Sequence, residues 1–286
     1  RAGLIEPGAL EAALRAGRPG LAAVDVFEDE PVLGARHPLL AMDNVVCTPH
    51  LGASTNEAQE NVALQVAEQI ADFLLTGAVV NALNMASVSA EDAPKLRPYM
   101  KLAEQLGSLA GQTAATGVKA VNIEYEGHVA GLNTKPLTAI VLKGLMQHQL
   151  DSVNMVNAPV IARERNINIS ETRRDHTPEY QTVLRVTVIG ESGARSVAGT
   201  VVAGNTPRVI KIDQVPLEAE LTPHMLFVHN RDLPGFIGRL GTLLGQAGVN
   251  IANFNLGRDR AGGDALSLVA VDQIMSADLL GAINQL

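Results

Sequence analysis

The sequence predicts an α/β protein in three successive parts: the tail of a doubly wound domain, a mixed α/β domain, and a small β-α-β-β-α unit. Three observations carry this. A helix-period segment and continuous apolar runs alternate over residues 1–55, strands and helices intermingle from about residue 84, and residues 221–286 repeat short apolar strands around two helical faces.

Residues 4–16 have Leu4, Leu10, Ala13 and Leu14 roughly on one helical face, Pro7 in the first turn, and Gly17 and Gly20 after the end. The run Leu21–Phe27, interrupted only by Asp25, suits a buried parallel strand, and Val45–Thr48 suits a second. Ser54-Thr55-Asn56-Glu57 has the form of a capping box with Ser54 at the N-cap. Val62, Val66, Ile70 and Phe73 then recur at helical spacing up to about Leu75, and Gly77 closes that helix. Pro94 and Pro98 frame the start of another, with Leu102, Leu106 and Leu109 on its face. Val121, Ile123 and Tyr125 alternate as in a strand. Thr138–Gln149 is helical, Leu184–Ile189 is a strand, and strands near 196–203 and 207–213 join through Gly204-Asn205. In the last part, Met225–His229, Val249–Phe254 and Ala265–Val271 are strands. Phe236, Leu240, Leu243 and Leu244 form a helical face, and Ser276-Ala277-Asp278 opens a final helix. A ferredoxin-like unit needs one strand more. Together with the absence of an initiator methionine, this leads us to expect a fragment cut at both ends.

Composition narrows the function. The chain has 286 residues, 47% hydrophobic and 18% charged, which describes a globular protein rather than a disordered one. A net charge of −8 with no dense basic run argues against nucleic acid or an anionic membrane surface as partner. One cysteine, Cys47, forms no internal disulfide and suits a reducing, cytoplasmic setting. No apolar run approaches membrane-spanning length, and no metal-ligand spacing stands out.

His50, Glu30 and Arg1 supply the parts of an acid–base site. A carboxylate behind an imidazole fixes its tautomer and favours its charged form, and an arginine holds a substrate carboxylate through two parallel hydrogen bonds. Each residue also has a structural explanation: a solvated terminus for Arg1, a surface acidic cluster for Glu30, packing under a helix start for His50. Asp25, an acid in an apolar run, needs either a ligand or a local hydrogen-bond partner. In doubly wound folds all of these fall beyond the carboxyl ends of the strands, where ligands bind.

Three segments, Arg1–Glu6, Val24–Pro31 and Thr48–Thr55, resemble in order the signatures that close the Rossmann-like nucleotide-binding domain of the D-isomer-specific 2-hydroxyacid dehydrogenases. The resemblance implies NAD as cofactor, His50 as proton donor and acceptor, Glu30 as its partner and Arg1 as substrate anchor. It also implies contacts to the cofactor from Arg1, Asp25, His50, Leu51, Gly52 and Ala53. The two later parts resemble the long-form D-3-phosphoglycerate dehydrogenase branch, with an intervening domain and an ACT domain. That implies 3-phosphoglycerate as substrate, serine biosynthesis as context, L-serine as effector and a homotetrameric assembly. The effector site carries over to Asn230, Asp232 and Asn250, although Asn and Asp also cap turns. Arg208 and Lys211 lie where some relatives bind a phosphate-bearing effector, but Glu220 has the wrong charge for it.

The expected boundaries are 1–55 for the end of the NAD-binding domain, 56–83 for a helix returning to the substrate domain, 84–220 for the intervening domain and 221–286 for the ACT domain. No G-x-G-x-x-G motif occurs, so these residues alone are expected to be inactive. The alternatives are a non-catalytic amino-acid-binding module, or another D-2-hydroxyacid dehydrogenase with a borrowed tail.

Overall fold

The computed structural model describes residues 2–32, 37–114, 117–176, 179–191 and 193–286. It divides into two compact units, Arg1–Ala71 and Asp72–Leu286.

In the smaller unit, α1 (Pro7–Arg15) follows a separate 3-10 turn at Ala2–Leu4, so the helix does not begin at residue 4. Leu4 is exposed, and among the described side chains of this helix Leu14 is the buried one. β1 (Ala22–Val24) and β2 (Val45–Cys47) pair in parallel with Val24 opposite Cys47. Both are shorter than their apolar runs. Past them the backbone bonds continue irregularly, Thr48 N–H to Val24 O at 3.0 Å and His50 N–H to Asp25 O at 2.9 Å.

The long helix α2 (Asn56–Thr76) starts one residue later than a Ser54 cap would place it. Thr55 Oγ1 accepts from Ala58 N–H at 3.1 Å and takes the capping role instead. Gly77, with φ of 81°, ends the helix by donating to Phe73 O. No residue of α2 is buried, and Val62, Val66, Ile70 and Phe73 remain about half exposed.

The larger unit begins with α3 (Ala93–Thr113), whose Leu102, Leu106 and Leu109 are buried as their spacing predicts. β3 (Ala120–Gly127) buries Val121, Ile123 and Tyr125 completely. α4 (Lys135–Met146) starts three residues before the expected Thr138 because Pro136 fits its first turn. α5 (Ala158–Glu164) and β4 (Asn168–Arg174) follow, then the meander β5 (Thr182–Gly190), β6 (Gly193–Val202), β7 (Thr206–Ile212) and β8 (Val215–Ala219). The sheet order is β4-β3-β5-β6-β7-β8, with only β3 and β4 parallel. α3 and α4 cross on this sheet at very short range. A Cβ at Gly107 would stand 2.3 Å from Val141 O, and one at Gly144 would stand 2.5 Å from Glu104 O, so only glycine fits.

The last segment is β9 (Met225–Arg231), α6 (Phe236–Gln246), β10 (Ile251–Arg258), β11 (Asp264–Val271) and α7 (Ala277–Ile283), in sheet order β10-β11-β9. Ser276 caps α7 by accepting from Leu279 N–H. The two faces of central β11 belong to different cores. Val269 and Val271 pack with Leu240 and Leu244 of α6, whereas Leu266 and Leu268 join the core of the six-stranded sheet. At this seam β8 lies beside β10, Asn255 Nδ2 donates to Glu218 O at 2.8 Å, and the Arg195 guanidinium sits 5.5 Å over the Phe227 ring. Gly257 is a point of close approach, where a Cβ would lie 2.1 Å from Pro216 O.

No helix among the described residues is long and apolar enough to cross a membrane.

Candidate functional site

The parallel register of β1 and β2 places Asp25 and Thr48 one residue past the two strand ends, side by side. Thr48 Oγ1 donates to Asp25 Oδ1 at 2.5 Å, Leu51 N–H to the same oxygen at 2.7 Å, and Gly52 N–H to Oδ2 at 2.9 Å. The Thr48 hydroxyl, followed by the two backbone donors, holds the Asp25 carboxyl below its ordinary range. Asp25 thus ties down the loop that carries His50. In that loop His50 has a φ of 55°, a left-handed conformation unusual for a residue with a Cβ.

His50 Nδ1 lies 2.7 Å from Glu30 Oε2, and Glu30 Oε1 accepts from Phe27 N–H at 2.9 Å. The carboxylate is therefore anchored by backbone on one oxygen and presented to the imidazole on the other. The Phe27 N–H and then the His50 bond hold the Glu30 carboxyl below its ordinary range, while the bond to Glu30 raises the His50 pKa above 6.5. With Nδ1 engaged, Nε2 is the ring nitrogen left for a substrate. The pocket bounded by Phe27, Pro31, Cys47, Thr48 and His50 has a volume of about 500 Å³.

The structure thus brings together His50, Glu30 and Asp25. Arg1 lies outside the described residues. Leu51, Gly52 and Ala53 follow His50, but the N–H groups of Leu51 and Gly52 are turned towards Asp25. Thr48 was not singled out from sequence. Its signal was the register of two parallel strands, which makes it the cross-strand neighbour of an acid.

At the far end of the chain, Asp232 Oδ2 accepts from Arg258 Nη1 at 2.6 Å and from Gly262 N–H at 3.1 Å, and Arg258 foremost lowers its pKa. Asn230 Nδ2 donates to Arg231 O, while its Oδ1 is buried with no partner among the described residues. Asn250 donates to Asp272 Oδ2 at 2.8 Å. Within one chain these three residues do not converge. Asn230 pairs with Ala265 and Ile251 with Val271, opposite ends of β11 that lie about 20 Å apart at strand spacing. Arg208 is occupied by Glu220 at 3.3 Å. No group of three or more potential metal ligands occurs among the described residues.

Comparison with known proteins matches three stretches of the chain. Residues 1–52 match the NAD binding domain of D-isomer specific 2-hydroxyacid dehydrogenases, residues 95–213 the D-3-phosphoglycerate dehydrogenase intervening domain, and residues 224–286 the ACT domain. The first of these matches is to the D-isomer specific 2-hydroxyacid dehydrogenases, and it spans both His50 and Glu30. Its relatives narrow the class. It is 39% identical to the D-3-phosphoglycerate dehydrogenase of Synechocystis over 287 aligned residues, covering 100% of this chain and 51% of the relative. It is 36% identical to the enzymes of that name from Bacillus subtilis (96% and 52% covered) and Methanocaldococcus jannaschii (100% and 54% covered). Over its whole length the chain is similar to D-3-phosphoglycerate dehydrogenases, and it matches the intervening-domain model that bears their name. It spans about half the length of the curated relatives it matches.

Proposed function

We propose that the chain serves the NAD-dependent oxidation of 3-phospho-D-glycerate to 3-phosphooxypyruvate, the first step of L-serine synthesis, under feedback by serine. The observation that carries this is the His50–Glu30 pair beyond the ends of two parallel strands, at 2.7 Å. In the oxidative direction neutral His50 accepts the C2 hydroxyl proton at Nε2 while its Nδ1–H is held by Glu30, and the carboxylate balances the imidazolium that results. Arg1, by its place in the family signature, holds the substrate carboxylate. Bound NAD would supply the acceptor for the C2 hydride. Asp25 fits a nicotinamide carboxamide as well as its loop: among the described residues Oδ2 accepts one bond, which leaves lone-pair capacity for an amide N–H.

The domains run as 1–55, 56–83, 84–220 and 221–286 in the roles expected from the sequence. L-Serine binds the last of these, with Asn230 Oδ1, which has no partner among the described residues, and the fixed Asp232 carboxylate as polar contacts. Asn250, at the other end of the same sheet, joins them only across a second copy of the chain, which supports a homo-oligomer, a tetramer in the family. The setting is cytoplasmic.

The test is turnover of 3-phosphoglycerate with NAD by the enzyme bearing these residues. His50→Ala is expected to lower kcat by about 100- to 10,000-fold with little change in the KM for NAD. A variant with unchanged turnover refutes the assignment. Calorimetry with L-serine on wild type and Asp232→Ala tests the effector site, and an absence of binding heat rules it out.

A further inference from the structure

A cavity of about 490 Å³ in the larger unit lies within the size range of small-molecule sites, roughly 300–1,000 Å³. Much of its wall is apolar and adaptable, built from Phe73, Met85, Met100 and Met155. Lys135, Thr138 and Glu171 are the charged and hydroxyl side chains that line it.

The hydrogen bonds around Glu171 have a definite direction. Thr138 Oγ1 donates to Glu171 Oε1 at 2.7 Å and Thr134 Oγ1 to Oε2 at 3.2 Å. Each hydroxyl has a single proton, so each must accept from the donor behind it. For Thr138 that donor is the fully buried Tyr125 O–H at 2.8 Å, and for Thr134 it is Arg173 Nη2 at 2.5 Å. Burial pushes the Tyr125 pKa up, which keeps its proton available for that role. Thr134 and Thr138 are themselves buried. Arg173 approaches Glu171 Oε2 directly only at 3.8 Å, beyond hydrogen-bond range. Two buried hydroxyls and two backing donors therefore hold one carboxylate in place. About half of its lone-pair capacity remains for a further donor. The Lys135 ammonium, at the exposed start of α4, supplies the opposite charge.

We propose that this cavity binds an apolar L-α-amino acid, with its ammonium on Glu171, its carboxylate on Lys135 and its side chain among the methionines. The site is separate from the serine site proposed at Asn230 and Asp232, and the two assignments stand or fall independently.

Calorimetry of L-leucine and L-methionine on the 286-residue chain tests it. Saturable binding is expected. Isopentylamine, which lacks the carboxylate, and 4-methylpentanoate, which lacks the ammonium, should each bind at least about tenfold more weakly than leucine. Glu171→Gln should weaken leucine binding by about tenfold or more with an unchanged circular dichroism spectrum. Lys135→Gln, at an exposed position, should also weaken it and does not depend on the buried network. Asp232→Ala should leave leucine binding intact. No saturable heat up to millimolar leucine overturns the proposal. So does equal affinity for 4-methylpentanoate, unchanged affinity in Lys135→Gln, or loss of leucine binding in Asp232→Ala.

Discussion

Replacing Gly257 by alanine should loosen the seam between the six-stranded sheet and the three-stranded one. The added Cβ would stand 2.1 Å from Pro216 O and 2.8 Å from Val215 Cγ1. An ordinary carbon contact is about 3.5 Å or longer, so β8 and β10 must part by about 1 Å or more. Neither neighbour yields cheaply, because Pro216 O is backbone and Val215 is buried. Overpacking of this kind costs about 1–3 kcal/mol. In a unit of this size that corresponds to a fall in Tm of about 3–10 °C. The strain should also stretch the Asn255–Glu218 bond and partly uncover Leu266 and Leu268. Differential scanning calorimetry, with hydrogen exchange across residues 215–219 and 255–268, reads both effects. Gly241→Ala is the control. Gly241 lies on α6 with no heavy atom within 4 Å of an added Cβ, so alanine there should stabilise by about 0.5–1 kcal/mol. A Gly257→Ala protein with unchanged Tm and unchanged exchange at the seam would refute the close-approach argument.

Two further outcomes follow from the site and its neighbouring helix. An NMR titration should place the His50 pKa above 6.5, and Glu30→Gln should bring it back down. The pair's contribution to stability is complete below about pH 6.5 and fades as pH rises through the raised His50 value. On the acid side it is complete above the ordinary glutamate range and fades as pH falls through the lowered Glu30 value. An unshifted His50 in wild type would remove the basis for the pairing. Thr55→Ala should cost about 1 kcal/mol in denaturant unfolding, because Thr55 Oγ1 is the cap of α2, whereas Ser54→Ala should cost almost nothing. Equal effects from the two substitutions would contradict the observed cap.

How much of this was legible in the sequence depended on how much of each element is buried on one side. The alternation at Val121, Ile123 and Tyr125 marks β3 because those three are fully buried and their neighbours are not. β4 carries Asn168-Ile-Ser-Glu-Thr-Arg-Arg174 at the sheet edge with almost every side chain exposed, so no period-two signal exists to read. β8 has one in Val215, Leu217 and Ala219, but it is five residues long and contains Pro216. The apolar run at 21–27 overstated its strand because hydropathy does not register that Asp25 binds the neighbouring loop. In the site, residue types and motif order pointed to His50 with Glu30. The Thr48–Asp25 bond depends on a strand register, and the separation of Asn250 from Asn230 depends on which end of a sheet each occupies. Neither is a property of local sequence.

The divided loyalty of β11 also bears on how such a protein can be assembled from parts. The segment from 221 to 286 has the order of a self-contained module, with its own sheet, two helices and a core around Leu240 and Leu244. Yet alternate residues of its central strand, Leu266 and Leu268, are furnished for a neighbour's interior. Grafted onto another protein as a cassette, the module would bring that apolar face into water and invite non-native association. Its partner surface along β8 would have to travel with it.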